Sequence, residues 1–374
     1  MQHELSRAGA ILSIDLQALR KNYRLLSSRI GAAQCGAAVK ADAYGLGAVR
    51  VAQALVDEGC RYLFVAQLEE AIALRAVVPE HVNLVVMHGS PVGCEADFLA
   101  YRCMPVLNST PQVQAWRELA KQQQRHLPAI VQIDTGMARM GLSQAEVAQW
   151  LADPHYLDGV DVHCVMSHLA CAEDQAHPMN QQQLQKFKSL LAQLPNIQHA
   201  RASLANSSGI FLGTDFHFDI ARPGAALYGV APVAGQSNPM QAVVKLQGHI
   251  IQVREIPAGT GVGYSLTWRS PQTARIATVS VGYADGWLRS LSNCGVVHIA
   301  GIAAPMVGNV SMDTITVDVT HIPPELLAPG VLVDLISASN TVDEVAKRAG
   351  TIGYEILTSL GPRYQRNYLD GDLV

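Results

Sequence analysis

A chain of 374 residues is long enough for two domains and for a sizeable core without disulfides or a structural metal. Its 27 Lys+Arg against 31 Asp+Glu give a net charge of −4, which excludes a basic field that would draw it to nucleic acid or to an anionic membrane. Only 16% of residues are charged where soluble domains have roughly 25%, and 49% are hydrophobic, so the chain is not disordered and buries an unusual share of its surface.

At the start, Glu4 and Arg7 precede a short Ala10-Ile11-Leu12, which lacks the apolar run of a secretory signal. Two long stretches are free of charge. The first, after Arg222, contains Pro223, Pro232 and Pro239. The second, between Arg289 and Asp313, is long enough to span a bilayer but contains Ser290, Ser292, Asn293, His298, Pro305 and Asn309. Neither can satisfy its backbone in lipid as one helix. Seven cysteines without regular spacing suit reduced thiols rather than a disulfide framework. A soluble cytoplasmic protein is the expectation.

Short apolar runs rich in β-formers recur through the first two-thirds of the chain, over 37–39, 62–65, 82–86, 104–107, 129–133, 160–165, 202–204 and 218–220. Most are spaced by roughly 20–30 residues, the length of a strand–helix unit. Their continuous apolar character predicts strands covered on both faces. Helical patterns fall between them, over 69–76, 111–124 and 180–193. Eight such units predict an α/β fold with a TIM-type (β/α)8 barrel over 11–232; a doubly wound open sheet is the alternative.

The last third changes period. Residues 243–253 and 274–281 lean toward alternation, Thr314 to Val319 alternate strictly, and only 342–349 reads as helical. A mainly β domain is predicted over 233–374, with residues 1–10 as a possible addition. The boundary falls in the Pro/Gly/Ser segment 232–239.

Catalytic groups of a β/α barrel gather at the C-terminal ends of its strands. The polar residues there are Lys40, His88, Asn108, Asp134 with Arg139, His168, Asn206-Ser207 and Arg222. A lysine closing an apolar strand would have its pKa lowered by burial, which suits Schiff-base chemistry; the alternative is a lysine snorkelling from a strand end. Arg222-Pro223-Gly224-Ala225 ends the eighth run, where free N–H groups could cradle a phosphate or simply make an ordinary strand-to-helix turn. Gly45-Leu46-Gly47 is not a P-loop. His163, Cys164, His168 and Cys171 cluster, but without HExxH or paired CxxC motifs no metal site is expected. Tyr264 and Tyr283, each on a Gly-rich turn, read either as surface aromatics or as acid/base groups.

The segment Ala38-Val39-Lys40-Ala41-Asp42-Ala43-Tyr44-Gly45 closely resembles the pyridoxal-phosphate lysine motif of the alanine racemases. Asp134 to Arg139, His168-Leu169-Ala170, Asn206-Ser207, Arg222-Pro223-Gly224, Gly261 to Tyr264, Gly282 to Trp287, Ser311-Met312-Asp313 and Ile352 to Glu355 follow in the family's order, from Ile14 to about Tyr368. The resemblance implies an isomerase with a cofactor-binding barrel, a mainly β second domain, and active sites shared across a head-to-tail homodimer. Lys40 would carry pyridoxal 5'-phosphate and act as the base for the D-substrate. Tyr264, from the second subunit, would be the base for the L-substrate, since racemisation removes a proton from one face of Cα and returns it on the other. Arg222 would meet the pyridine nitrogen, and His168 would link Arg222 toward Tyr264. Tyr44, Ser207, Tyr354 and the backbone of Gly224 and Ala225 would hold the phosphate. Arg139 and the Met312 backbone would hold the substrate carboxylate, with Tyr283 and Tyr354 narrowing the entrance. The product would supply D-alanine for peptidoglycan or link to alanine catabolism.

Three positions depart from the family pattern. Gln132 stands where many members have a carboxylated lysine bracing the active-site arginine, Leu46 where a histidine follows Tyr-Gly, and Asn309 where an arginine lines the access channel. These bear on substrate range, and a serine-type or broad-specificity racemase on the same fold is the main alternative. A barrel-type decarboxylase and a non-catalytic cofactor carrier fit less well, the latter because such single-domain barrels lack a β domain bearing Tyr264.

Overall fold

Runs that are apolar at every position need cover on both faces, and seven of the eight lie side by side in one parallel sheet. In the computed structural model, which describes residues 7–195 and 197–370, these strands are Ala37–Ala38, Tyr62–Val65, Asn83–Val86, Cys103–Leu107, Leu127–Gln132, Val160–Met166 and Arg201–Ser203, paired in chain order. The eighth, Ile220–Ala221, pairs in parallel with Gln34–Cys35, directly before the first strand. Asp219 N donates to Ala202 O (3.0 Å) and Arg222 N to Ala205 O (2.8 Å) on one side. On the other, Gly36 N donates to Ala221 O (2.9 Å) and Ala38 N to Pro223 O (2.8 Å), which closes the barrel.

The three predicted helical patterns form Leu68–Arg75, Thr110–Gln122 and Met179–Gln193. Thr110–Gln122 buries Val113, Trp116, Leu119 and Ala120, a stripe at three- and four-residue spacing that faces the barrel. A valine or leucine buried in this way contributes roughly 1.5–3 kcal/mol. Pro111 at the helix start costs nothing, because the first N–H groups have no intrahelical partner.

The last third builds a second sheet in the order Ile302–Pro305, Val296–Ile299, Leu332–Ile336, Val244–Ile256, Ala10–Asp15 and Gln365–Leu369. Ala274–Val279 pairs with the far half of Val244–Ile256, and Ile315–Asp318 with Ala274–Val279. The uncharged stretch before Asp313 supplies the hairpin Val296–Ile299 and Ile302–Pro305. Ala10–Asp15 lies antiparallel to Val244–Ile256 and parallel to Gln365–Leu369, so this sheet contains strands from the beginning and the end of the described chain.

The helix Val342–Ala349 begins with a reciprocal Thr341–Glu344 capping box and stops at Gly350 in the left-handed region (φ 72). The expectation of a single helix in this domain is corrected, because Gly353–Ser359 is a second. It is seven residues long and opens with glycine, too short to display a 3.6-residue period. Among the described residues no helix is long and apolar enough to cross a membrane, and no group of three or more His, Cys, Asp or Glu side chains could hold a metal ion.

Candidate active site

The first barrel strand runs into Lys40–Gly45, where Ala41, Asp42, Ala43 and Tyr44 all have φ between 53 and 56. Four consecutive non-glycine residues in the left-handed region are each unfavourable by roughly 1–2 kcal/mol, so the turn needs outside support. Glu70 provides part of it: one carboxylate oxygen accepts Ala41 N (2.5 Å), and the other accepts Ala66 N (2.7 Å) and Gln67 N (3.0 Å). Asp42 accepts Ala48 N at 2.7 Å. From the β domain, Arg366 donates to Gly45 O (2.6 Å) and Tyr368 to Leu46 O (3.0 Å). Leu46 itself is buried in the core, away from the cavity that Lys40 faces.

That cavity, of about 800 Å³, is lined by Lys40, Tyr44, Arg139, His168, Ser207, Arg222, Gly224, Ala225 and Tyr354. Burial, and then the Arg139 charge, draw the Lys40 amine below its ordinary value, with Glu70 opposing. Arg222, 5% exposed, donates to Ser203 Oγ and to Ser167 O (2.6 Å), and its Nη2 lies 3.3 Å from Nδ1 of His168. None of these partners is a carboxylate. Burial lowers Arg222 to about 10, so it stays cationic at neutral pH. Burial and the charges of Arg222, Arg139 and Lys40 lower His168 to about 3.

Ser207 Oγ accepts Gly224 N (2.9 Å) and Ala226 N (3.2 Å). Both lone pairs are thereby used, and its O–H is left to donate. The Tyr44 hydroxyl packs against Gly224 so closely that a Cβ there would lie 2.3 Å from it. The Tyr44 ring packs at a tilt against Tyr228 (4.8 Å) and Tyr354 (6.0 Å), and burial raises the phenol pKa of both Tyr44 and Tyr354, keeping them donors. Three cations, a free serine O–H and two tyrosine hydroxyls around one cavity form a donor set for an anionic, aromatic group with a ring acceptor.

Arg139 follows a turn in which Asp134 Oδ1 accepts Gly136 N (2.8 Å) and Met137 N (2.9 Å). Its guanidinium makes no hydrogen bond or ion pair among the described residues, and neither does the carboxamide of Gln132, 7% exposed on the same cavity. Tyr264, Tyr283 and Met312 do not line this cavity; they are 72%, 44% and 53% exposed on the β domain. The loops bearing the last two press backbone to backbone, Tyr283 N on Ser311 O (3.0 Å) and Ala284 N on Met312 O (2.9 Å), leaving no room for a Cβ at Gly282. Arg363 ties them, reaching Asp285 (3.0 Å) and Asp313 (2.8 Å).

His163, away from His168, pairs with the Tyr62 hydroxyl (2.7 Å) inside the barrel. No local pattern singles out Glu70, Ser203 or Gln183. Gln183 is fully buried and joins His168 O (2.8 Å) to Thr135 (3.1 Å).

Residues 14–232 match the family model described as alanine racemase, N-terminal domain, and residues 243–368 the one described as alanine racemase, C-terminal domain. The chain is 49% identical over 364 residues to a catabolic alanine racemase of Mesorhizobium japonicum, covering 97% of this chain and 94% of that one. It is 46% identical to an alanine racemase of Rhodospirillum rubrum, covering 98% of each. The crystal structure of alanine racemase from Bartonella henselae with covalently bound pyridoxal phosphate superposes with a TM-score of 0.93 at 43% identity, over 97% of this chain and all (100%) of that one.

Proposed function

Because the chain belongs to the alanine racemase family, we propose that it interconverts L-alanine and D-alanine by proton transfer between two bases on opposite faces of the substrate Cα. The observation that carries this reading is one cavity in which a lysine of lowered pKa, a buried arginine without a carboxylate, and the Ser207 cradle converge. The donor set fits pyridoxal 5'-phosphate, which supplies an electron sink for the carbanion when bound.

Lys40 would hold the cofactor, and its amine when free, drawn toward the neutral form by burial, would accept or return the proton on the D-face. Arg222 would meet the ring nitrogen of the bound group. A guanidinium can only donate there, which keeps that nitrogen without a proton of its own and limits how far charge spreads into the ring. That disfavours protonation at the wrong carbon. Ser207, Tyr44, Tyr354 and the backbone at Gly224 and Ala225 would hold the phosphate; among the described residues the Gly224 N–H is bonded to Ser207 Oγ and the Ala225 N–H is open. Arg139 holds the substrate carboxylate.

The second base is Tyr264, supplied by the other subunit of a homodimer. Its exposure, outside the lining of the chain's own cavity, supports this assignment. The same partner brings Met312 to the carboxylate and Tyr283 to the entrance, opposite Tyr354. The protein works in the cytoplasm, where D-alanine serves peptidoglycan synthesis or alanine catabolism.

The test is loss of optical activity over a panel of L-amino acids with cofactor present. Racemisation of alanine alone, or of alanine well ahead of serine, is expected. Equal turnover of serine or basic residues would favour the broad-specificity reading, which the unbraced Arg139 beside a neutral Gln132 makes the specific rival.

A further inference from the structure

Tyr264 opens a single turn, Tyr264–Leu266, in which Gly263 (φ 72), Ser265 (φ 61) and Leu266 (φ 46) all lie in the left-handed region. The turn closes one weak backbone bond of its own, Leu266 N to Gly263 O at 3.3 Å, and the Tyr264 side chain has no hydrogen-bond partner among the described residues. A tyrosine on such a turn is placed only as well as its backbone is held.

The holding comes from a closed ring of neutral amides and one threonine hydroxyl. Asn309 Nδ2 donates to Tyr264 O (2.9 Å), and Asn309 Oδ1 accepts the Thr267 hydroxyl (3.3 Å). Thr267 Oγ1 in turn accepts Asn293 Nδ2 (3.1 Å), and Asn293 Oδ1 accepts the N–H of Gly308 (2.6 Å), the residue before Asn309. Asn293 is itself held at φ 61, so both of its amide bonds depend on a fixed backbone. No member of the ring is titratable.

We propose that Asn309 is a positioning residue for Tyr264: its carboxamide fixes the turn from which the tyrosine reaches into the partner's cavity. This rests on the reading of Tyr264 as the base for the L-enantiomer.

Enantiomers have equal free energies in water, so any variant must change kcat/KM equally in both directions, and rates alone cannot tell which base is affected. Isotope effects can. A slowed Tyr264 makes removal of the Cα deuteron from L-alanine more rate-limiting. From D-alanine, the same slowing makes removal by Lys40 more reversible.

The experiment compares Asn309→Ala, Asn309→Asp and Thr267→Val with Tyr264→Phe, using protiated and Cα-deuterated L- and D-alanine. Asn309→Ala and Asn309→Asp, which both remove the donor, should lower kcat by about tenfold or more, since sub-ångström misplacement of a reacting group is that costly. KM should change less, and Thr267→Val should show a smaller loss. The isotope effect on kcat/KM should rise with L-alanine and fall with D-alanine. A wild-type kcat in Asn309→Ala, or isotope effects that stay unchanged or move together while kcat falls, overturns the positioning role. If Tyr264→Phe is inactive while Asn309→Ala is wild-type, this inference fails alone. If Tyr264→Phe keeps full activity, the base assignment fails and the inference with it.

Discussion

The guanidinium of Arg222 donates through Nη2 to Nδ1 of His168 across 3.3 Å, and because arginine has no acceptor the direction of that bond is fixed. The imidazole must therefore be neutral, with its proton on Nε2. That agrees with a pKa lowered to about 3 by burial and by the charges of Arg222, Arg139 and Lys40.

A histidine held neutral has a sign in the pH dependence of stability. The unfolded chain protonates it near its ordinary value of about 6.5, the folded chain only near 3, so the unfolded state binds more protons between those values. The stability this neutral imidazole confers is complete above about 6.5 and is lost as pH falls toward 3, at up to about 1.4 kcal/mol per pH unit. Urea unfolding of the wild type and of His168→Asn, compared at pH 7.5 and 5, should show the smaller acid loss in the variant. Identical losses would remove His168 from the balance.

Lys40→Ala should lower kcat by more than about 10²-fold, the ordinary contribution of a positioned acid/base group, and abolish covalent cofactor attachment. Borohydride reduction of the wild type followed by peptide mapping should label only the peptide containing Lys40. A label on any other lysine would sink that role.

Ser207→Ala leaves the N–H groups of Gly224 and Ala226 without their shared acceptor and removes the cradle's hydroxyl donor. A hydrogen bond to a charged group is worth about 1.5–3 kcal/mol, so loss of the hydroxyl donor should lower cofactor affinity by about tenfold to a hundredfold. Fluorescence titration of the apoprotein reads this directly. An unchanged affinity would show the cradle is not used.

Glu70→Gln keeps the side-chain volume but offers one oxygen where the carboxylate offers two to three backbone N–H groups. The left-handed lysine turn should lose about 1–3 kcal/mol of support. Lys40 should also titrate lower, because Glu70 raises its pKa. Chemical denaturation and the pH profile of kcat/KM are the two readouts.

Chains with Lys40→Ala and with Tyr264→Ala should each be inactive alone and regain activity when co-expressed. In a two-fold dimer that shares sites, statistical mixing leaves about a quarter of the sites intact. Inactivity despite mixed dimers verified by mass would argue that each site uses one chain only.

The eight barrel strands were legible because strands covered on both faces are apolar without interruption, which local composition reports. Ala10–Asp15 was not read as a strand of the second sheet, since its partners lie more than 200 residues away and no local pattern encodes them. Gly353–Ser359 was missed for want of length. At the site, chemically distinctive side chains such as Lys40 and Arg222 stood out at strand ends. Glu70 and Ser203 did not, because one supports a backbone conformation and the other satisfies a buried guanidinium. Such work is defined by neighbours in space and has no period in sequence. Asn309 was visible only as an access-channel difference, whereas the structure gives it a bond to the backbone of Tyr264.

Gln365–Leu369 is an outer strand of the second sheet, beside Ala10–Asp15, and it also carries the two side chains that grip the lysine turn, Arg366 on Gly45 and Tyr368 on Leu46. On the ribosome, residues 10–15 and 40–46 emerge long before their clamp has been made. The barrel can form first, as early domains do, with its lysine turn held from within by Glu70, Asp42 and its own backbone bonds but without the Arg366 and Tyr368 clamp. The final lysine geometry is thereby tied to residues 365–369, so a chain that lacks them loses both side chains that grip the lysine turn.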